Sequence, residues 1–90
     1  MDSAFHEDHE RFQRTLMDFL KTQLSVGFVF CRDARTKRAE FAPCVENARI
    51  ALETVRRFQG KIIDAQLSLE IHARADELEK LVAALEQGNA

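Results

Sequence analysis

Residues 6 to 10, His-Glu-Asp-His-Glu, hold the densest set of potential metal ligands in the chain. On a helix His6 stands near His9 and Glu10, a facial arrangement that a divalent ion can use. The spacing is not that of a helical metalloprotease, whose histidines lie four apart, and no distant third ligand is identifiable. Acidic residues in a first helical turn are already accounted for by the helix dipole. No metal site and no cofactor are assigned on these residues. The remaining histidine, His72, stands alone and is expected at the surface.

The two cysteines, Cys31 and Cys44, are too few for a disulfide scaffold and too widely spaced for a zinc site. If the segments that carry them pair antiparallel, both sulfurs come to the same pole of the molecule. Cys44 then lies in a first helical turn close to Arg32, Arg35, Lys37 and Arg38, features that lower a thiol pKa. A thiol-based redox switch at Cys31 and Cys44 is one functional alternative; two reduced, packed thiols are the plainer expectation.

Arg32, Arg35, Lys37 and Arg38 form a local basic patch, and Arg49, Arg56, Arg57 and Lys61 add positive charge further on. Such a strip can contact phosphates in a salt-dependent, sequence-tolerant way. Against this, Glu40, Glu46 and Glu53 interrupt it, and there is no Trp or Tyr to stack on bases. A nucleic-acid-binding accessory role is therefore the second alternative, and nucleic acid is not the expected partner. Nothing points to catalysis. A glycine-rich phosphate loop, a nucleophile elbow and a nucleophile-base pair at recognisable spacing are all missing, so no catalytic residue is assigned and the chain is not read as an enzyme.

The elements that must position these residues follow from composition and period. The chain has 90 residues, 46% apolar and 31% charged, with only three Gly and one Pro. That length suits a single domain, here 1–90, and the shortage of turn residues favours long helices over a sheet. The formal charge of -2 excludes whole-molecule attraction to a polyanion. The apolar run from Leu24 to Cys31 falls far short of the roughly twenty residues a membrane span needs. The opening residues MDSAFHEDHE lack the basic and apolar regions of a signal peptide, so a cytoplasmic location and no membrane partner are expected.

At about 100° per residue, Phe5, Phe12, Leu16, Met17, Leu20, Leu24, Phe28, Phe30 and Cys31 share one sector, with Phe19 and Val26 widening it. This predicts a first helix over about 4–32, N-capped by Ser3 or Asp2. Its apolar arc of roughly 200° is wider than the ~100° stripe that covers one core. Gly27 within it signals either close approach of another helix or tolerance of a poor helix former near a helix end. Residues 33–42 carry no apolar stripe and read as a connection. Pro43 opens a second helix, about 43–59, with Cys44, Val45, Ala48, Ala51, Leu52, Val55 and Phe58 on one face. Gly60 is placed as a left-handed C-cap and Asp64 as the next N-cap. A third helix, about 65–87, shows Leu67, Ile71, Arg74, Leu78, Leu81 and Leu85 alternating by four and three, with a tail from Glu86 that should fray.

The fold class is thus all-α, an antiparallel three-helix bundle running up, down and up. The function this supports is a small protein-protein interaction module. Through the surplus apolar face of helix 1 it either self-associates, as a homodimer, or docks a partner helix. Phe19, Val26, Val29 and Ile50 are the expected surface, because they lie off the main core stripes. The alternative for the same arc is a helix 1 that is central to its own bundle and covered on both flanks.

Overall fold

The computed structural model describes residues 2–88, with side chains described from Asp8 onward. Three helices run in sequence, α1 over Asp2–Thr36, α2 over Phe41–Phe58 and α3 over Ala65–Glu86. A 3-10 turn lies in each connection: Arg38–Glu40 leads directly into α2, and Gln59–Lys61 directly follows it. At 1.5 Å per residue the 35 residues of α1 span about 52 Å, which accounts for nearly all of the 55 Å long axis of the molecule.

Named contacts give the direction of each helix. Phe19 meets Phe58 while Gly27 faces Ala51, so α2 descends as α1 ascends. Arg49 binds Glu86 whereas Arg56 binds Asp76 and Glu79, so α3 reverses again. The core between them includes Leu16, Met17, Leu20, Leu24, Cys31 and Ala34 of α1. From α2 it takes the six expected small and aliphatic residues, Cys44 through Val55, all buried. Phe58 is half-buried at its rim.

The helix ends depart from the sequence expectation in instructive ways. α1 continues through residues 33–36 because Ala34, only 1% exposed, adds one more turn to the core stripe. Thr36 Oγ1 donates to the Arg32 carbonyl at 3.2 Å, and the helix breaks at Lys37. α2 starts at Phe41, two residues before Pro43. Proline fits there because backbone N–H groups of a first turn have no intrahelical acceptor in any case. Phe41, packed against the core, supplies the reason to begin early.

Gly60 is not left-handed; it lies within the 3-10 turn that ends α2. The left-handed glycine is Gly88, at φ 76°, where its N–H reaches the Leu85 carbonyl and closes α3. Glu86 is accordingly the last residue of α3. Asp64 caps α3 as expected, Oδ1 accepting from the Leu67 N–H at 2.9 Å. A side chain of α1 ties down the α2–α3 connection: the Gln13 amide donates to the Lys61 carbonyl and accepts from the Ile63 N–H, each at 3.1 Å.

On α3 the predicted Ile71, Leu78 and Leu85 are buried and Leu67 and Leu81 pack at the core's edge, while Ala75 and Val82 take the fully buried positions expected for Arg74 and Leu81. Ile71, Ala75, Leu78, Val82 and Leu85 are the buried set, again spaced four, three, four, three. Arg74 stands outside that seam, with its guanidinium 5.3 Å from the centre of the Phe28 ring, a cation-π contact on the α1–α3 side. A small alanine at position 75 is what lets α3 pack where a longer side chain was expected.

Candidate functional site

Alpha-helix α1 carries two apolar seams. The inner one, Leu20, Leu24, Gly27, Cys31 and Ala34, is buried against α2 and α3. The outer one runs Phe12, Thr15, Phe19, Thr22, Val26 and Val29 at alternating spacings of three and four, the repeat of a helix that packs along another helix. At 100° per residue the two seams are about 130° apart, so a single pair of neighbouring helices cannot cover both. Phe12 is 51% exposed, Phe19 40%, Val26 38% and Val29 43%.

The expected surface residues Phe19, Val26, Val29 and Ile50 are therefore all accessible, Ile50 at 52%. Phe12 is the correction: expected in the core sector, it lies exposed on the outer seam because α2 ends at Phe58, level with Phe19, and does not reach the turn of α1 that carries Phe12. Phe19 is held in place by an edge-to-face contact with Phe58, ring centres 5.8 Å apart and planes at 88°. A shallow groove of about 470 Å³ follows the seam, lined by Lys21, Thr22, Ser25, Val26, Val29 and Phe30.

Ile50 joins this surface from α2. Arg49 and Arg56 of α2 face α3, where they bind Glu86 and Asp76. Counting 100° per residue from Ala51, which faces Gly27 of α1, Ile50 falls on the opposite flank, beside the outer seam. The strip is thus continuous across α1 and the near side of α2.

The remaining candidates are differently placed. Arg32, Arg35, Lys37 and Arg38 are all exposed around the α1–α2 turn, and Arg32 pairs with Asp33 at 3.5 Å. The basic strip does not extend along α2, because Arg49 and Arg56 are engaged by carboxylates of α3. The Arg56 hydrogen bond holds the Asp76 carboxyl below its ordinary pKa, and the Arg49 hydrogen bond does the same for Glu86.

Cys31 and Cys44 are both buried, free thiols in the same core cluster. Burial pushes the Cys31 thiol up, with Arg35 opposing. Burial also pushes Cys44 up; Glu40 and Asp33 add to the rise and Lys37 opposes it. The expected lowering by the basic turn is overturned because burial dominates at both sulfurs, and at Cys44 the carboxylates Glu40 and Asp33 add to it. His6 and Glu7 lie outside the residues whose side chains are described, and so does the expected cap at Asp2 or Ser3. Among the described residues no group of three or more potential ligands could hold a metal ion, and no helix is long and apolar enough to cross a membrane.

Sequence reasoning found four residues of the strip but missed its order. Thr15 and Thr22 occupy two of its positions, and a polar hydroxyl there hides the repeat of three and four when only apolar residues are counted. Compared with protein-family models, curated proteins and solved structures, the chain has no match.

Proposed function

We propose that this chain is a helical protein-protein interaction module that receives a helix from another chain along the outer seam of α1. The observation that carries the proposal is the exposed heptad-spaced strip from Phe12 to Val29, continued by Ile50. A helix presents such a repeat only where another helix lies along it or where water is left against apolar surface at a cost. In this role the chain performs no bond-making chemistry, and a cytoplasmic setting suits its two free thiols.

The magnitude is adequate for modest affinity. Full burial of a large apolar side chain contributes about 1.5–3 kcal/mol, and each strip residue has roughly half of that still to gain. Phe12, Phe19, Val26, Val29 and Ile50 together then offer about 4–7 kcal/mol per copy of the strip, set against association costs of about 4–15 kcal/mol. A partner that brings apolar surface of its own closes the gap.

The test is whether the strip is dispensable to the fold. Val26→Ser combined with Val29→Ser, unfolded with urea at high dilution, should cost the isolated chain only about 0.8 kcal/mol per site, the share of burial each valine already makes in its own fold. Leu20→Ala on the inner seam should cost about 2–5 kcal/mol under the same conditions. A double serine variant as damaging as Leu20→Ala would mean that the strip serves the fold, and the interaction role would be lost.

A further inference from the structure

We infer that the helix received by the outer seam is α1 of a second copy, running antiparallel, with Ser25 of both chains on the two-fold axis. This rests on the interaction role proposed above and identifies its partner. The argument is one of register and charge. In an antiparallel pair of identical helices, the residues flanking the seam on one side face the same set on the partner. On the solvent side of the outer seam that set is Arg11, Asp18, Ser25 and Arg32, one residue per heptad.

Alignments that keep seam against seam differ by whole heptads, and each brings different flanking charges together. Placing Phe12 against Val29 of the partner maximises apolar overlap, but it sets Arg11 against Arg32 twice. Sliding so that Phe12 meets Thr22 puts Asp18 against Asp18 on the axis. Placing Phe19 against Val29 and Thr22 against Val26 sets Asp18 against Arg32 at both ends, with Ser25 against Ser25 between them. Like charges held together disfavour an interface and opposite charges select it, so only the last of these three alignments is electrostatically matched.

Two features of the structure agree with that alignment. The shallow depression of about 470 Å³ on this face of α1 has Ser25 among its lining residues, so the proposed axis passes over it, and a small side chain there lets two helices approach. The contacts Phe19–Phe58 and Gly27–Ala51 also place the level of the axis near Thr54 on α2. Because α2 flanks α1 on the far side of the seam from Asp18, the two α2 helices then lie next to each other, also antiparallel. Ile50, 52% exposed, comes level with Phe58 of the other copy. The paired chains make a four-helix core from both α1 and both α2 helices. Asp18 makes no ion pair among the described residues, and Arg32 has only its exposed 3.5 Å contact with Asp33, so both charges are available.

The experiment is a charge exchange read by sedimentation equilibrium on the full chain. Wild type should dimerise, while Asp18→Arg alone and Arg32→Asp alone should each weaken dimerisation on the order of tenfold or more, since each turns two attractions into two repulsions. Mixing the two variants in equal amounts should restore the dimer. In the mixed pair the arginine introduced at position 18 of one chain meets the aspartate introduced at position 32 of the other, and the unchanged Arg32 of the first meets the unchanged Asp18 of the second. Both positions are exposed, and circular dichroism should show both variants as helical as wild type. Dimers insensitive to either substitution, or a mixture that stays monomeric, would overturn this alignment while leaving the strip as a docking surface. Wild type that stays monomeric at hundreds of micromolar would overturn the second copy as partner; the serine variants described above would then judge the interaction role by itself.

Discussion

Gly27→Ala separates close helix packing from mere tolerance of glycine. A methyl group on Gly27 would lie 2.6 Å from Leu78 Cδ2, 3.3 Å from Leu78 Cδ1 and 3.4 Å from Ala51 Cβ. The first distance is far inside the ordinary carbon contact of about 3.5–4.0 Å. Leu78 is fully buried, so its side chain can retreat only into filled space. Overpacking of this kind costs about 1–3 kcal/mol, and removing glycine from a helix interior returns about 1 kcal/mol. The net expectation is a loss of about 0–2 kcal/mol. A double-mutant cycle sharpens it. Leu78→Ala costs about 2–5 kcal/mol by itself but clears the obstruction, so Gly27→Ala in that background should gain about 1 kcal/mol. The coupling of about 1–3 kcal/mol is measured by urea unfolding followed by circular dichroism on the four proteins. A gain of about 1 kcal/mol from Gly27→Ala in both backgrounds would refute the close passage of α1 over α2 and α3.

Other consequences follow from the caps, the ion pairs and the thiols. Asp64→Ala should lower stability by about 1 kcal/mol, read by the same unfolding assay, with Asp64→Asn recovering most of the loss; an Ala variant equal to wild type would deny the cap. The Asp76 and Glu86 carboxyls are held below their ordinary pKa by arginine hydrogen bonds. Their stabilising contribution is therefore complete above the usual carboxylate range and fades as pH falls through it. The difference in urea midpoint between wild type and the combined Asp76→Asn and Glu86→Gln variant should close on acidification, and a difference that widens would contradict these pairs. Cys31 and Cys44, buried and with thiols pushed up, should react with a thiol reagent at neutral pH only as fast as the chain opens; rapid labelling of the native protein would restore the redox alternative.

Much of the scaffold was legible because its signals are local and repeated. Cys44, Val45, Ala48, Ala51, Leu52 and Val55 fall on one face at helical spacing, and all are buried. Asp64, placed before an apolar-periodic run, acts as the cap its position implies. The misread places are those where tertiary packing outweighs composition. Ala34 sits among charged neighbours and carries little apolar weight, yet a buried position for it extends α1 by a turn. Leucines 67 and 81 made the α3 seam look one residue out of phase, because leucine outweighs alanine in any count while the small Ala75 is what the close packing takes. Gly60 and Gly88 both follow apolar stretches, and only the backbone path shows which of them turns left-handed.

The exposed strip was legible in part for a related reason. Width of the α1 arc pointed to Phe19, Val26 and Val29, and a place off the core stripe of α2 pointed to Ile50; all four are accessible in the fold. Its repeat was hidden by Thr15 and Thr22, and its flanking charges gain meaning only once a second helix is laid beside them. Phe12, assigned inward by angle, lies outward because α2 ends at Phe58, level with Phe19 and two turns of α1 away from Phe12.

The most direct test of a seam completed by a second chain is sedimentation equilibrium of wild type and Phe19→Glu from about 1 μM to about 300 μM, a range that brackets the affinity expected of a strip this size. The average mass of wild type should rise from that of one chain toward two across the series, and Phe19→Glu, still helical, should stay at one. Wild type that holds the mass of a single chain to the highest concentration, or a charged Phe19 variant that associates equally well, would contradict the account.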